Sequence, residues 1–174
     1  SISANLNIMI KASEKASKIL IRDFGEIEKL QVSKKSQRDF VTNADLKVEK
    51  IIIEELEKAK PNFSFISEER GIKKNKDIDH TWVIDPIDGT NNYIHDYPFF
   101  CTSIGVLINN KIQYGAIYDS LRDEFFYASK KRGSYLNGKR IYVSNIKNLS
   151  DSLLCTGFIT SKKSYAKNNI SNFR

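Results

Sequence analysis

Residues 81–100 read TWVIDPIDGTNNYIHDYPFF. An apolar, β-branched start is followed by two acids, a proline and a glycine, so a strand should run through Thr81–Ile84 and deliver Asp85 and Asp88 to its C-terminal end. Pro86 fixes one φ, and Gly89 lets the chain turn sharply so that backbone can approach a ligand closely. Thr90 then stands where a helix can begin, with NNYIH as its first turn. Amides at such a start attract an anion, and phosphate is the usual one. Two carboxylates aimed at one point repel each other unless a cation lies between them, and hard oxygen ligands select Mg²⁺ over zinc. Taken alone, the Asp-x-x-Asp spacing is also that of an ordinary turn in which Asp85 caps and Asp88 faces water. The whole hexapeptide DPIDGT favours metal-assisted phosphoryl chemistry.

Working outward, FSFIS (Phe63–Ser67) and HTWVI (His80–Ile84) read as strands separated by a lysine-rich loop, Gly71–Asp77. Ser67-Glu68-Glu69-Arg70 closes the first of them. If that strand pairs beside TWVI, Glu68 or Glu69 supplies a third acid at the same sheet end; otherwise the two are a solvated acidic pair. VTNADLKVEKIIIEELEKAKP opens with Thr42 and Asp45 spaced as a capping box, runs through Val48, Ile52, Leu56 and Ala59, and halts before Pro61. It predicts a helix, preceded by a polar loop or hairpin over Lys34–Phe40. Another helix is expected over Ala4–Phe24, with Gly25 as its stop.

Downstream the period is two. Thr102–Ile108 and Ile112–Tyr118 flank Asn109-Asn110 and should form a hairpin; Glu124–Ala128 and Arg140–Val143 add strands, with Asn137-Gly138 as a turn. Ser152–Phe158 reads as a further strand before a polar end. Two N-terminal helices packed on a largely antiparallel sheet make an α+β fold. The division expected is a metal- and phosphate-binding domain over 1–150 and the start of an incomplete second domain over 151–174.

The chain has 174 residues, 40% of them hydrophobic, enough to bury one core. Its formal net charge of +7 raises the question of a polyanionic partner. The cations, however, sit in scattered short groups such as Lys34-Lys35, Lys73-Lys74 and Lys130-Lys131-Arg132 with no interleaved aromatics, so a solvated surface accounts for most of them. Cys101 and Cys155 lie in apolar runs without metal-ligand spacing and are expected as buried thiols in a reducing compartment. No stretch is long enough to span a membrane, and the first residues lack a signal peptide's apolar core. A cytoplasmic location is expected.

The combination of VTNAD (Val41–Asp45), SEER (Ser67–Arg70) and WVIDPIDGTNNYIHDYPF (Trp82–Phe99) resembles the inositol monophosphatase family of magnesium-dependent, lithium-sensitive sugar phosphatases. The resemblance implies a layered α/β/α/β/α sandwich, a homodimer, a small phosphate monoester such as inositol monophosphate as substrate, and two or three Mg²⁺ per complete site. It also implies roles. Glu68, Asp85 and the carbonyl of Ile87 would hold one metal; Asp85 would bridge to a second that Asp88 helps hold. Asp45 and Thr90 would activate the attacking water, while Glu68, Ile87, Asp88, Gly89 and Thr90 would line the substrate, the amides of Gly89 and Thr90 gripping its phosphate. Glu69 would support them. Lys34 matches a family lysine near the metal loop and is equally well a plain surface lysine. His80 and His95 are not needed, nor is either cysteine. Unaided phosphate monoester hydrolysis is very slow, and two cations roughly 3.5–4 Å apart suit the charge that must be neutralised.

The resemblance also exposes a gap. Family members are longer and carry a second acidic motif, a Trp-Asp pair, whose Asp completes the second metal site. The only tryptophan here is Trp82, and Val83 follows it. The chain is either a fragment of a longer enzyme or a natural truncation that has lost activity; the fragment is expected, and alone it would bind magnesium weakly and hydrolyse little. A 3'-phosphoadenosine 5'-phosphate or sugar bisphosphate phosphatase would keep the same residues. A role associated with RNA or the transcription machinery, as in some bacterial relatives, belongs to a different class.

Overall fold

The computed structural model describes residues 2–26 and 34–155, the side chains of 34–42 excepted. The chain divides into two compact units, Ser1–Tyr142 and Val143–Arg174. The first holds two long helices, α1 (Ala4–Asp23) and α2 (Lys34–Ala59), a short helix α3 (Thr90–Ile94) and an eight-stranded sheet. The strands are β1 (Phe63–Ser67), β2 (Gly71–Lys73), β3 (Asp77–Asp88), β4 (Cys101–Ile108), β5 (Lys111–Asp119), β6 (Glu124–Ser129), β7 (Gly133–Leu136) and β8 (Lys139–Ile141). Their spatial order is β2-β1-β3-β4-β5-β6-β7-β8. Only β1 and β3 run parallel; every other neighbouring pair is antiparallel.

The helices bury one face of this sheet. Leu6, Met9, Ala12, Ala16 and Leu20 recur at helical spacing along α1, and Val48, Ile52 and Leu56 along α2; all are at most 3% exposed. They meet Phe65, Trp82, Ile84, Ile104 and Val106, which alternate along β1, β3 and β4 as period-two side chains do. Ser3 caps α1 by accepting from the Leu6 amide at 3.3 Å, and Gly25, at φ 77°, follows its end. The β4–β5 turn places Asn109 and Asn110 at φ 51° and 58°, as a two-residue hairpin turn requires. The opposite sheet face, carrying Val83, Leu107, Ile117 and Phe126, is apolar and bounds an open hollow of about 770 Å³.

Several expectations need correction. Lys34–Phe40 is not a loop: α2 begins at Lys34, so Asp45 lies inside the helix and does not close a capping box at its start. The Gly71–Asp77 loop begins with a strand, β2, that pairs back on β1. The strand expected over His80–Ile84 extends to Asp88, and its pairing with β4 shifts between Asp85 and Asp88, where Pro86 has no amide to donate. Gly133–Leu136 is a strand that the sequence reading passed over. In the second unit, residues 152–155 form no strand, and the remainder of Ser152–Phe158 lies outside the described residues. Cys155 is accordingly exposed and Cys101 only half-buried, rather than both being core thiols. No helix among the described residues is long and apolar enough to cross a membrane.

Candidate active site

Parallel pairing of β1 with β3 builds the site. Ser67 stands opposite Ile84, and the Glu68 amide donates to the Ile84 carbonyl at 3.2 Å. Glu68 is thereby set beside Asp85. The juxtaposition that sequence could only make conditional is the one the sheet provides, and it shows in the acid's behaviour. Burial pushes the Asp85 carboxyl up to about 7; a hydrogen bond with Glu68, the charge of Glu68 and the charge of Asp88 push it the same way. Its Oδ1 is buried without a hydrogen-bond partner. A desolvated carboxylate with like charges around it is the situation that a bound cation relieves.

Asp45 approaches from α2. It is 5% exposed, and burial first, then Glu69, Glu68, Asp85 and Glu49 in that order, raise its carboxyl to about 7. Burial, followed by Glu68 and Glu49, also raises Glu69. Asp88, at the end of β3, is exposed and accepts a weak contact from the Cys101 thiol at 3.9 Å. Burial and the nearby acids push that thiol up to about 12, so it stays protonated at neutral pH.

The turn that follows has the anticipated shape. Gly89 takes φ 93° and precedes α3. The Asn92 and Tyr93 amides both donate to its carbonyl, at 2.8 and 3.1 Å, so the helix's own bonding starts there and leaves the earlier amides for an outside acceptor. The Thr90 hydroxyl donates to the Ile87 carbonyl at 2.8 Å, which fixes both groups, while the Ile87 side chain is buried in the core. α2 also touches α3, bringing the element that carries Asp45 to the one that carries Thr90.

The acids are brought together as neighbours and not as a finished shell. Among the described residues no three His, Cys, Asp or Glu side chains are arranged to hold a metal ion. Nor do the predicted ligands share one cavity: Asp85 opens on the 770 Å³ hollow of the sheet face, whereas Asp88 and Gly89 open on another of about 560 Å³. Glu68 lines neither. The donor set nevertheless fits a hard divalent cation, since it is all carboxylate and carbonyl oxygen and leaves Asp85 Oδ1 unsatisfied. Lys34 is the first residue of α2, and its side chain lies outside the described residues. His80 stacks on Phe63 at 4.6 Å and faces Asp77 at 2.9 Å, and His95 ends α3. The sequence reading did not single out Glu49, which is fully buried beside these acids. Its spacing of four residues from Asp45 was the available signal.

Comparison with known proteins shows the family. The model of the inositol monophosphatase family matches residues 3–173. An inositol-1-monophosphatase of Mesorhizobium japonicum is 41% identical over 155 residues, covering 89% of this chain and 58% of the relative. The Nus factor SuhB of Escherichia coli K12 is 38% identical over 161 residues, covering 92% and 60%. Among solved structures, the extragenic suppressor protein suhB of Bartonella henselae superposes with TM-score 0.84 at 36% identity, over 98% of this chain and 66% of that one. The inositol monophosphatase of Anabaena gives 0.78 at 36%, over 97% and 60%. The chain thus spans about 60% of the length of the curated relatives it matches. With a family match along nearly all its residues and relatives about 40% identical, the chain belongs to the inositol monophosphatase family.

Proposed function

We propose that the protein is a magnesium-dependent phosphomonoesterase acting on inositol monophosphate or a similar small sugar phosphate. One observation carries the reading: Asp85, desolvated and unsatisfied, is held against Glu68 with Asp88 three residues on, beside a turn with unused amides. Glu68, Asp85, Asp88 and the Ile87 carbonyl would hold the cation. Magnesium bound there would acidify a water and neutralise phosphate oxygens. The amides of Gly89 and Thr90 bind and orient the phosphoryl group. Asp45 receives the proton of the attacking water, held for that role by α2 among the other acids, where burial raises its carboxyl above the usual carboxylate range. Thr90, tied to Ile87, orients that water, and Glu69 supports Glu68. Lys34, the first residue of the helix that carries Asp45, is a supporting residue by family resemblance alone. The protein acts in the cytoplasm as a homodimer, and lithium inhibits it. Residues 1–150 act as the metal- and phosphate-binding domain, and 151–174 begin a second one.

The 174 residues alone bind magnesium weakly and turn over little, because the second metal position lacks a ligand. The test is phosphate release by the protein as its host makes it, with Mg²⁺ and with EDTA, from inositol 1-phosphate and from 3'-phosphoadenosine 5'-phosphate. Release from the first at least about tenfold faster, and abolished by EDTA, is the expected result. Preference for the second moves the assignment to the nucleotide phosphatases of the same superfamily, and full turnover without metal refutes it.

A second reading, association with single-stranded RNA, is favoured by the distribution of charge. Residues 125–150 contain six cations (Lys130, Lys131, Arg132, Lys139, Arg140, Lys147) and no acid, so they carry +6 of the net +7. The fold gathers the first five at the β6–β7 and β7–β8 turns, all exposed. The Arg140 guanidinium lies over the Tyr142 ring at 5.3 Å and within 3.1 Å of the space a Cβ on Gly133 would occupy. Some cations elsewhere have acid partners, as in Lys15–Glu55, Lys73–Glu57 and Arg122–Asp119; these five have no ion pair among the described residues. The sequence reading took them for scattered surface charge, and the hairpins instead make one basic edge with an exposed aromatic, which suits a phosphodiester backbone. Reversing Lys130, Lys131 and Arg132 to Glu should weaken single-stranded RNA binding more than about tenfold in fluorescence anisotropy at low salt. Asp85→Asn should leave it unchanged. Absence of binding by the unsubstituted protein at 50 mM salt, roughly the low end used for such measurements, removes this reading.

A further inference from the structure

Glu49 is a buried carboxylate that the proposed chemistry does not use. It is 0% exposed, on the α2 face that also carries Asp45 one turn earlier. Burying a charge is costly unless it is paired and hydrogen-bonded, so the partners of Glu49 indicate what it holds. Its Oε2 accepts from the Glu69 backbone amide at 2.9 Å. Its Oε1 makes no hydrogen bond and is met only by the charge of Arg70, whose Nε lies 3.3 Å away, while the same guanidinium donates through Nη2 to the Leu46 carbonyl at 3.4 Å. The turn after β1 is therefore fastened to α2 at two consecutive residues. Immediately before them, Glu68 is tied by its amide to Ile84 on β3. Its backbone lies between a strand on one side and a helix on the other.

We propose that Glu49, together with Arg70, is a positioning device that sets the direction of the Glu68–Glu69 turn and so holds Glu68 beside Asp85 for metal binding. The inference rests on the metal-site reading above. An exposed turn of three polar residues has many conformations, and only some aim Glu68 at Asp85. The Glu49 clasp removes that freedom before the metal arrives, which is the gain from preorganising a ligand.

The alternative is that Glu49 and Arg70 act only as charges. The two accounts differ in sign. A point charge at Arg70 opposes a bound cation, so its removal would tighten metal binding, whereas loss of a clasp loosens it. A point charge at Glu49 would be lost equally in Gln and Ala, whereas the Gln amide oxygen still accepts from Glu69. The experiment is Mn²⁺ titration of the full 174-residue chain, followed by the paramagnetic signal of free Mn²⁺, with melting curves to confirm folding. Glu49→Ala should weaken binding about tenfold or more. Glu49→Gln should stay within about threefold of the unsubstituted chain, and Arg70→Met, which keeps the aliphatic stem of a half-exposed side chain, should weaken it about threefold. Unchanged binding in Glu49→Ala, equal losses in Gln and Ala, or tighter binding in Arg70→Met each overturns the proposal while leaving the metal site standing. If Glu49→Ala does not fold, the sign of the Arg70→Met change decides. The chain alone binds weakly, so the titration runs to Mn²⁺ well above roughly millimolar, the weak end of protein divalent-cation sites; no binding even there overturns the metal reading, and this inference with it.

Discussion

Asp85→Asn is expected to abolish metal-dependent phosphate release, by at least about 10³-fold or on the order of 4 kcal/mol, and at the same time to raise the melting temperature of the metal-free protein. The two effects have one origin. Asp85 is desolvated, faces Glu68 and Asp88, and has an oxygen without a partner. In the metal-free fold that charge is a liability, and in the proposed loaded site it would be the central ligand. Asparagine keeps the shape, loses the charge, and can donate to Glu68. The pH dependence follows from the direction of the shift. Asp85 is at about 7 in the folded protein and at 3.8 when unperturbed, so the folded state binds its proton more tightly. Its contribution favours folding below about pH 4 and is lost progressively up to about pH 7. Solvent screens part of this half-buried group, which leaves a gain on the order of 2 kcal/mol for Asp85→Asn at pH 8 and a melting rise of about 5 °C. Asp45, shifted the same way, keeps part of the pH dependence in the variant. Calorimetry of both proteins in EDTA at pH 5 and pH 8 measures this. A variant that melts lower at pH 8 would mean that Asp85 is a satisfied structural residue and not a strained ligand.

The other large effect belongs to Gly89→Ala. Gly89 sits at φ 93°, outside the region L side chains favour, and a Cβ there would lie 3.0 Å from the Phe99 carbonyl oxygen and 3.3 Å from Phe100 Cα. Both obstacles are backbone, so neither moves aside easily. Phe100 is also fixed, packing edge-on against Tyr93 at 4.9 Å in the core. Alanine should cost about 2–3 kcal/mol, combining left-handed strain with the clash, and lower the melting temperature by about 5–10 °C. Relief by rotating the turn would re-aim the Gly89 and Thr90 amides, so inorganic phosphate should bind more weakly to the folded variant than to the unsubstituted protein. Thermal denaturation and phosphate titration check the two parts separately. Wild-type stability in Gly89→Ala would show that the turn adopts another conformation in solution.

The elements of this fold were legible wherever a period or a turn residue wrote them locally. α1 could be read from its apolar stripe and Gly25, the β4–β5 hairpin from Asn109-Asn110, and the metal loop from DPIDGT. Misreadings occurred where local signals pointed elsewhere. Thr42 and Asp45 have capping spacing, yet α2 runs through them from Lys34, because a capping pattern inside a helix is not by itself a boundary. β2 has three exposed residues, Gly71, Ile72 and Lys73, and exists because β1 offers it an edge, which no window of sequence displays. Of the candidate site, the acids could be named from the sequence, and which of them stand side by side could not.

By itself the sequence determined which residues carry the clustered carboxylates, where the chain must turn, and which family pattern they follow, since each is a property of residue type and short-range spacing. Tertiary structure decided that Glu68 stands beside Asp85, that Asp45 and Glu49 approach from one helix face, and that the basic residues of two hairpins make one edge. Those outcomes depend on the parallel register of β1 on β3 and on the packing of α2, contacts between residues up to about 40 positions apart. The pairing of strands, and not the spacing along the chain, sets the distances at which charges act on one another.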